Sequence, residues 1–267
     1  MEHPQFQYSR CTGRRKGLCI GVNYIGQNSE LHGCINDAKE AYQFIIDKYH
    51  YDQADVMLLT DDAEDERNLP TRENIVSAMH WLLEGAQMHD SLFIHYSGHG
   101  GWSKDRNRDK GYGFDEMIFP VDYKKAGTIL DDDLHDYLVG PLPPGCRLTA
   151  VFDSCHSASV LDLTYRYHSD GHAKRLRLSS RFLDERSTPG DVLCWSGSKD
   201  DQDSADASVG GLSVGAMSYA FLKVLKSKPD ITYEDLLRGL RRETKKYQQK
   251  PQLSASHRMD IDRKFVM

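Results

Sequence analysis

Short apolar runs alternate with amphipathic stretches along most of the chain, and this alternation predicts strands and helices in turn. Residues 17–22 (GLCIGV) and 56–59 (VMLL) read as buried strands, separated by a stretch (34–49) with Ile35, Ala38, Tyr42, Ile45 and Ile46 at helical spacing. Pro70-Thr71 opens a helix that carries Ile75, Met79, Leu82 and Leu83 on one face. Residues 90–96 form a third strand ending at SGHGG (97–101), followed by a charged loop (102–116) and a short extended piece (117–121). A short helix (131–139), stopped by Gly140-Pro141, leads to a fourth strand (146–152) that ends at DSCHS (153–157). From 165 to 189 the chain is polar and basic without a period, which predicts a mobile linker. A strand at 191–195, a helix at 215–225 and a last helix from Thr232 complete the pattern. Asp235 closes a capping box there, and Ile231 and Leu236 form a hydrophobic staple. Strands alternating with helices predict an α/β fold, a mostly parallel sheet with helices on both faces.

The length of 267 residues suits one catalytic domain (16–267) behind a short polar arm (1–15). Inside that domain the pattern divides into a part up to about residue 173, the linker at 165–189 and a second part at 191–267. No apolar run approaches the roughly 18 residues of a membrane helix, and no secretory leader is evident, so residence in the cytoplasm or nucleus and no membrane partner are expected. A net charge of −6 argues against a nucleic-acid binder. The six cysteines are scattered without a CxxC pair, which fits a reducing compartment rather than a disulfide framework or zinc site.

In open α/β sheets reactive groups gather beyond the carboxyl ends of strands. Two ends here carry chemistry, one His99 between glycines, the other Cys155. A thiolate is the nucleophile, and a neighbouring imidazole lowers its pKa and moves its proton. The order, histidine about 50 residues upstream of cysteine, is that of caspase-type peptidases. His156 adjoins Cys155 but lacks the glycine flank, so His99 is assigned as the base. Two rivals stand beside this reading. Gly211-Leu-Ser213-Val-Gly215 fits a serine-hydrolase motif, although that motif needs a strand before it and residues 200–209 are polar and acidic. A non-catalytic caspase-like interaction or quality-control module is the other, and nothing in the residues favours it.

The segments LHGCINDA (31–38), HYSGHGG (95–101), ILDDD (129–133), LTAVFDSCHSASVLDL (148–163) and CWSGSKDD (194–201) together resemble the type I metacaspases, caspase-like cysteine peptidases. The resemblance runs from about residue 15 to the C-terminus. It implies a caspase–hemoglobinase fold, cleavage of polypeptides after Arg or Lys, activation by Ca2+, self-processing and a monomer. Ala158 departs from the glycine usual after the Cys-His-Ser triplet. Relatives often carry a long Pro/Gln-rich prodomain where this chain has its arm.

Acidic groups lining a pocket favour a cationic side chain. Asp153 lies two residues before the nucleophile and Asp37 follows the first strand, so both suit a basic-specificity pocket. Asp153 suits a helix cap equally well on its residues alone. The resemblance implies the pocket role for Asp37 and Asp153, with Ser97 as a third member. The linker residues Lys174, Arg175, Arg177, Arg181 and Arg186 are self-cleavage candidates of matching charge. Backbone N–H groups of Gly100 and Cys155 are the expected oxyanion donors. No acidic residue that would orient His99 can be picked out. Asp105-x-Asn107-x-Asp109 with Glu116 imitates an EF-hand loop but has Lys110 where the sharp turn needs glycine. The resemblance instead implies calcium ligation by Asp115, Asp131, Asp132 and Asp162, which spacing alone does not gather.

Overall fold

Five of the apolar runs pair as a parallel sheet. In chain order they are β1 (Arg15–Gly21), β2 (Val56–Thr60), β3 (Ser91–Ser97), β7 (Arg147–Asp153) and β10 (Asp191–Ser196). Their spatial order is β2-β1-β3-β7-β10. Beyond β10 the sheet continues antiparallel through β13 (Gln252–Ala255), β8 (Tyr165–Tyr167) and β9 (Ala173–Arg175), making eight strands. The computed structural model describes residues 3–104, 114–154, 160–167, 173–175, 186–197, 207–209, 212–228 and 230–267, with the backbone alone at 173–175, 207–209 and 212–214.

Successive strand residues face opposite sides, so two cores form. Ile20, Ile94, Tyr96, Ala150 and Phe152 meet Ile75, Met79 and Leu82 of α2 (Arg72–Leu83), with Leu134 and Leu138 of α4 (Asp131–Leu138). On the other face Cys19, Phe93, Val151, Leu193 and Trp195 meet α1 (Cys34–Tyr49), α5 (Ala216–Ser227) and α6 (Tyr233–Thr244). Thr71 and Thr232 cap α2 and α6 by accepting the N–H of Asn74 at 3.2 Å and of Asp235 at 3.1 Å. No helix among the described residues is long and apolar enough to cross a membrane.

The structure revises three expectations. The charged loop at 102–116 begins as β4 (Gly100–Lys104), which pairs with β5 (Phe114–Ile118), itself paired with β6 (Ile129–Leu130), in a small antiparallel sheet; α3 (Tyr123–Ala126) lies between β5 and β6 in the chain. Its strands are partly exposed, so they lack the apolar alternation that would mark them. The linker at 165–189 contains β8 and β9, which hold to the sheet through main-chain bonds that a polar sequence can make equally well. β13, with Leu253 its one large apolar residue, gave no periodic signal, yet Leu253 stands opposite Trp195 inside the sheet. A hairpin of β11 (Ala207–Val209) and β12 (Leu212–Val214) precedes α5.

The N-terminal arm is fastened at the amino edge of the sheet, away from the strand ends that carry chemistry. Ser9 N–H donates to Asp191 at 2.9 Å, Arg14 N–H to Asp90 at 2.7 Å, and Phe6 stacks on His257 at 3.8 Å between ring centres.

Candidate active site

β3 and β7 are parallel neighbours, and their register ends with Ser97 beside Asp153. The ladder reaches one step further, with Gly98 N–H donating to the Asp153 carbonyl at 3.4 Å. His99 follows Ser97 by two residues, and Cys155 follows Asp153 by two. Adjacent strands in register therefore both end two residues before a candidate residue, at the carboxyl edge of the sheet. Cys155 and the neighbouring His156 lie outside the described residues.

His99 is held through its ring and its main chain. Its ring Nε2 lies 2.7 Å from the Ser29 carbonyl oxygen. A carbonyl can only accept, so Nε2 carries the hydrogen and Nδ1 is the basic nitrogen of the neutral ring. The ring lies tilted against Tyr24 at 4.5 Å. The His99 N–H donates to the Tyr24 hydroxyl at 2.9 Å, and the His99 carbonyl accepts from the Tyr96 hydroxyl at 2.8 Å. The Tyr24 hydroxyl donates onward to the Phe119 carbonyl at 2.7 Å. The orienting group absent from the sequence reading is thus a main-chain carbonyl, which no side-chain pattern can reveal.

Gly100 stands opposite Ile118, and the adjoining bond runs from Phe119 N–H to the His99 carbonyl. This is the non-hydrogen-bonded arrangement of an antiparallel pair, which directs the Gly100 N–H away from β5. The other cysteines (Cys11, Cys19, Cys34, Cys146 and Cys194) are buried and in no disulfide. Burial raises the thiol pKa of Cys19 and Cys194 and pushes that of Cys146 up to about 12, which keeps them protonated and inert.

Asp37, Ser97 and Asp153 converge at the start of α5. Asp37 accepts from the Gly215 N–H through both oxygens, at 3.0 and 2.8 Å, and from the Ser97 hydroxyl at 2.8 Å. Asp153 accepts from the Ser218 N–H at 2.7 Å. The N-terminus of a helix favours negative charge, so it gathers two acids that sequence separates widely. A side chain at Gly215 would fall on both carboxylates. Asp153 does cap a helix, and it is α5, distant along the chain. Beside them His95 is buried, with Nε2 2.8 Å from the Ser218 hydroxyl; burial pushes its pKa down to about 3, so it is neutral.

A second acidic group lies on α4 and the turn after β7. Asp131, Asp132 and Asp162 each offer a carboxylate oxygen, and these oxygens lie within 4.8 Å of one another. The Asp131 carboxylate accepts from the N–H groups of Glu116 at 2.7 Å and Asp132 at 3.0 Å. Asp115, the fourth expected member, is buried on β5 next to Glu116, outside that close trio. Arg186 pairs with Asp132 and lies 3.7 Å from Asp162. Of the self-cleavage candidates, Lys174 and Arg175 lie on β9 and Arg177 and Arg181 fall outside the described residues. Arg186, expected on a mobile linker, is nine-tenths buried in these ion pairs.

The family of the metacaspase peptidase C14 domain matches residues 15–164, which contain the His99 and Cys155 strand ends and both groups of acids. The chain belongs to the metacaspase family. It is 46% identical to Metacaspase-1 of Cryptococcus neoformans and 47% identical to Metacaspase-1A of Neurospora crassa, each match covering 98% of this chain and 67% of the relative. Metacaspase-1 of Pyricularia oryzae is 46% identical over 98% of this chain and 77% of its own length. These relatives place the chain with the type I metacaspases. A crystal structure of a Geobacter sulfurreducens protein shares the fold with a TM-score of 0.65 and 22% identity, covering 94% of this chain and 97% of the other. The metacaspase is a cysteine peptidase of the C14 class, and its substrates are polypeptides.

For the serine-hydrolase rival, Ser213 lies in the middle of β12, opposite Ser208, rather than on a strand-to-helix turn. The trio of Asp131, Asp132 and Asp162 fits a calcium ion by its donors: hard carboxylate oxygens converge, and a cationic guanidinium already stands among them. Tyr24, the Ser29 carbonyl, His95, Ser218 and Gly215 are members of the metacaspase site that the sequence did not disclose. Each acts through a contact distant along the chain, so no local motif marks it.

Proposed function

We infer that this metacaspase is a calcium-stimulated endopeptidase that cleaves after Arg or Lys, processes itself and works as a monomer. The observation that carries the catalytic part is the His99 ring pinned through Nε2 to the Ser29 carbonyl, at the end of the strand that pairs with the one leading to Cys155. In this reading the Cys155 thiol gives its proton to His99 Nδ1, and the thiolate attacks the carbonyl carbon of the scissile bond. The resulting oxyanion is received by the N–H groups of Gly100 and Cys155. The histidinium then protonates the leaving amine, and a water deprotonated by the same nitrogen releases the acyl group from sulfur.

Asp37 and Asp153 support basic specificity, because two buried carboxylates beside the cleft present negative charge to an incoming guanidinium or ammonium. Asp131, Asp132 and Asp162, with Asp115 beside them, are the residues that would hold calcium. Bound there, the ion would supply positive charge that offsets their mutual repulsion and firms the turn after β7.

Fluorogenic peptides ending in Arg, Lys or Asp test the reading with the wild-type chain and Cys155→Ala. Turnover of Arg and Lys substrates that rises with calcium and vanishes in the variant is expected. Iodoacetamide should abolish it while labelling Cys155 ahead of the five buried thiols. Turnover of the Asp substrate alone would overturn the specificity. Replacing Asp131 and Asp132 together with Ala removes the calcium response, and an unchanged response refutes that assignment.

A further inference from the structure

The acidic trio already faces a cation of the chain's own. Arg186 stands five residues before β10, at the end of the basic segment, and its side chain is nine-tenths buried. The guanidinium contacts Asp132 and lies 3.7 Å from Asp162 and 3.5 Å from Asp136. The Arg186 carbonyl lies 3.4 Å from His135 Nε2, so its main chain is tied to α4 as well. Asp131 is fixed independently of this arginine. Main-chain N–H groups hold Asp131, and Asp162 is wholly buried with a φ of +50°, a left-handed conformation costly for a residue other than glycine. The fold thus brings the carboxylates together, and Arg186 stands beside them as their counter-ion.

A divalent ion would need the same oxygens at about 2.4 Å. The Asp132 oxygen would have to be shared between that ion and the guanidinium, and two positive charges so close repel. We propose that Arg186 is an internal competitor for the calcium site, docked when the site lacks metal and expelled when calcium binds. The proposal rests on the calcium reading above. Docking buries the Arg186 side chain, so the Arg186–Ser187 bond is poorly presented to a protease that grips arginine. Metal loading frees it, which links calcium to the accessibility of a bond carrying the residue the cleft is proposed to prefer.

Calorimetric calcium titration of the full chain carrying Cys155→Ala, which cannot cut itself, tests this. Adding Arg186→Gln should tighten calcium binding about tenfold, because apparent affinity scales with the fraction of sites open to the ligand. In the Cys155→Ala chain with Arg186 intact, added trypsin should cut after Arg186 several-fold faster in calcium than in EGTA, read by mass spectrometry. Affinity that is unchanged or weaker without Arg186, or cleavage after Arg186 indifferent to calcium, overturns the competition. Asp131→Ala/Asp132→Ala separates the two ideas. If the parent chain binds no calcium, or this double variant binds as the parent does, the calcium reading fails and the competition with it. Binding lost in the double variant yet blind to Arg186 sinks the competition alone. If Arg186→Gln does not fold, the trypsin comparison decides.

Discussion

His99 shows how much of a catalytic side chain's behaviour is set by groups other than itself. Its tautomer follows from the Ser29 carbonyl and its main-chain position from the Tyr24 hydroxyl, which accepts the His99 N–H and donates to Phe119. Tyr24 is fully buried with a φ of +57°, so its ring is placed by the loop after β1. Burial holds its hydroxyl pKa well above the ordinary value, so it stays a protonated donor. Tyr24→Phe keeps the ring under the imidazole and removes the hydroxyl's bonds to His99, Phe119 and Tyr96. The expected result is a loss of about tenfold in kcat/KM on an Arg substrate, the worth of one net hydrogen bond of roughly 1.4 kcal/mol. The melting temperature should move little by comparison. A variant as active as the parent would show that the hydroxyl does not position His99.

At the scale of elements, the start of α5 assembles the acidic pocket. Gly215 has φ −72°, within reach of any residue, so its need is one of space: both carboxylates approach where a Cβ would stand. Gly215→Ala should cost about 1–3 kcal/mol, as overpacking does, and lower the melting temperature by several degrees. It should also raise KM for Arg substrates, because Asp37 and Asp153 must retreat from their N–H donors. A variant with parental stability and KM would remove Gly215 from the pocket's construction. The same scale explains the strands that sequence missed. β8, β9 and β13 join through main-chain bonds at the far side of the sheet, and their register is imposed by the strand already in place.

For the whole molecule, two buried histidines set a response to acid. Burial pushes His95 down to about 3, and burial, partly opposed by Asp191, pushes His257 to about 4. Both folded-state values lie below the ordinary value of about 6.5, so below that pH the unfolded chain binds protons that the folded chain refuses. Their stabilising contribution is whole above about pH 6.5 and is lost as pH falls, by roughly 1.4 kcal/mol per unit for each histidine. Urea unfolding of the Cys155→Ala chain between pH 7 and 4.5 should show this decline. His95→Gln, which can still bond Ser218, should make the slope shallower. An unaltered slope would exclude His95 as a source.

The alternating elements, the two strand ends bearing His99 and Cys155, and the family can all be read along the chain, because apolar periodicity and contiguous motifs are local. The sequence also named Asp37, Asp153 and the calcium-site acids, though as members of a resemblance rather than as neighbours. Tertiary structure alone decided that Asp37 and Asp153 meet at Gly215, and that a main-chain carbonyl orients His99. It also decided that Arg186 lies among the acids. The physical reason is common to all three. A helix end, a carbonyl oxygen and a buried ion pair attract whatever complementary group the fold brings within about 4 Å, however far apart the two stand in the chain.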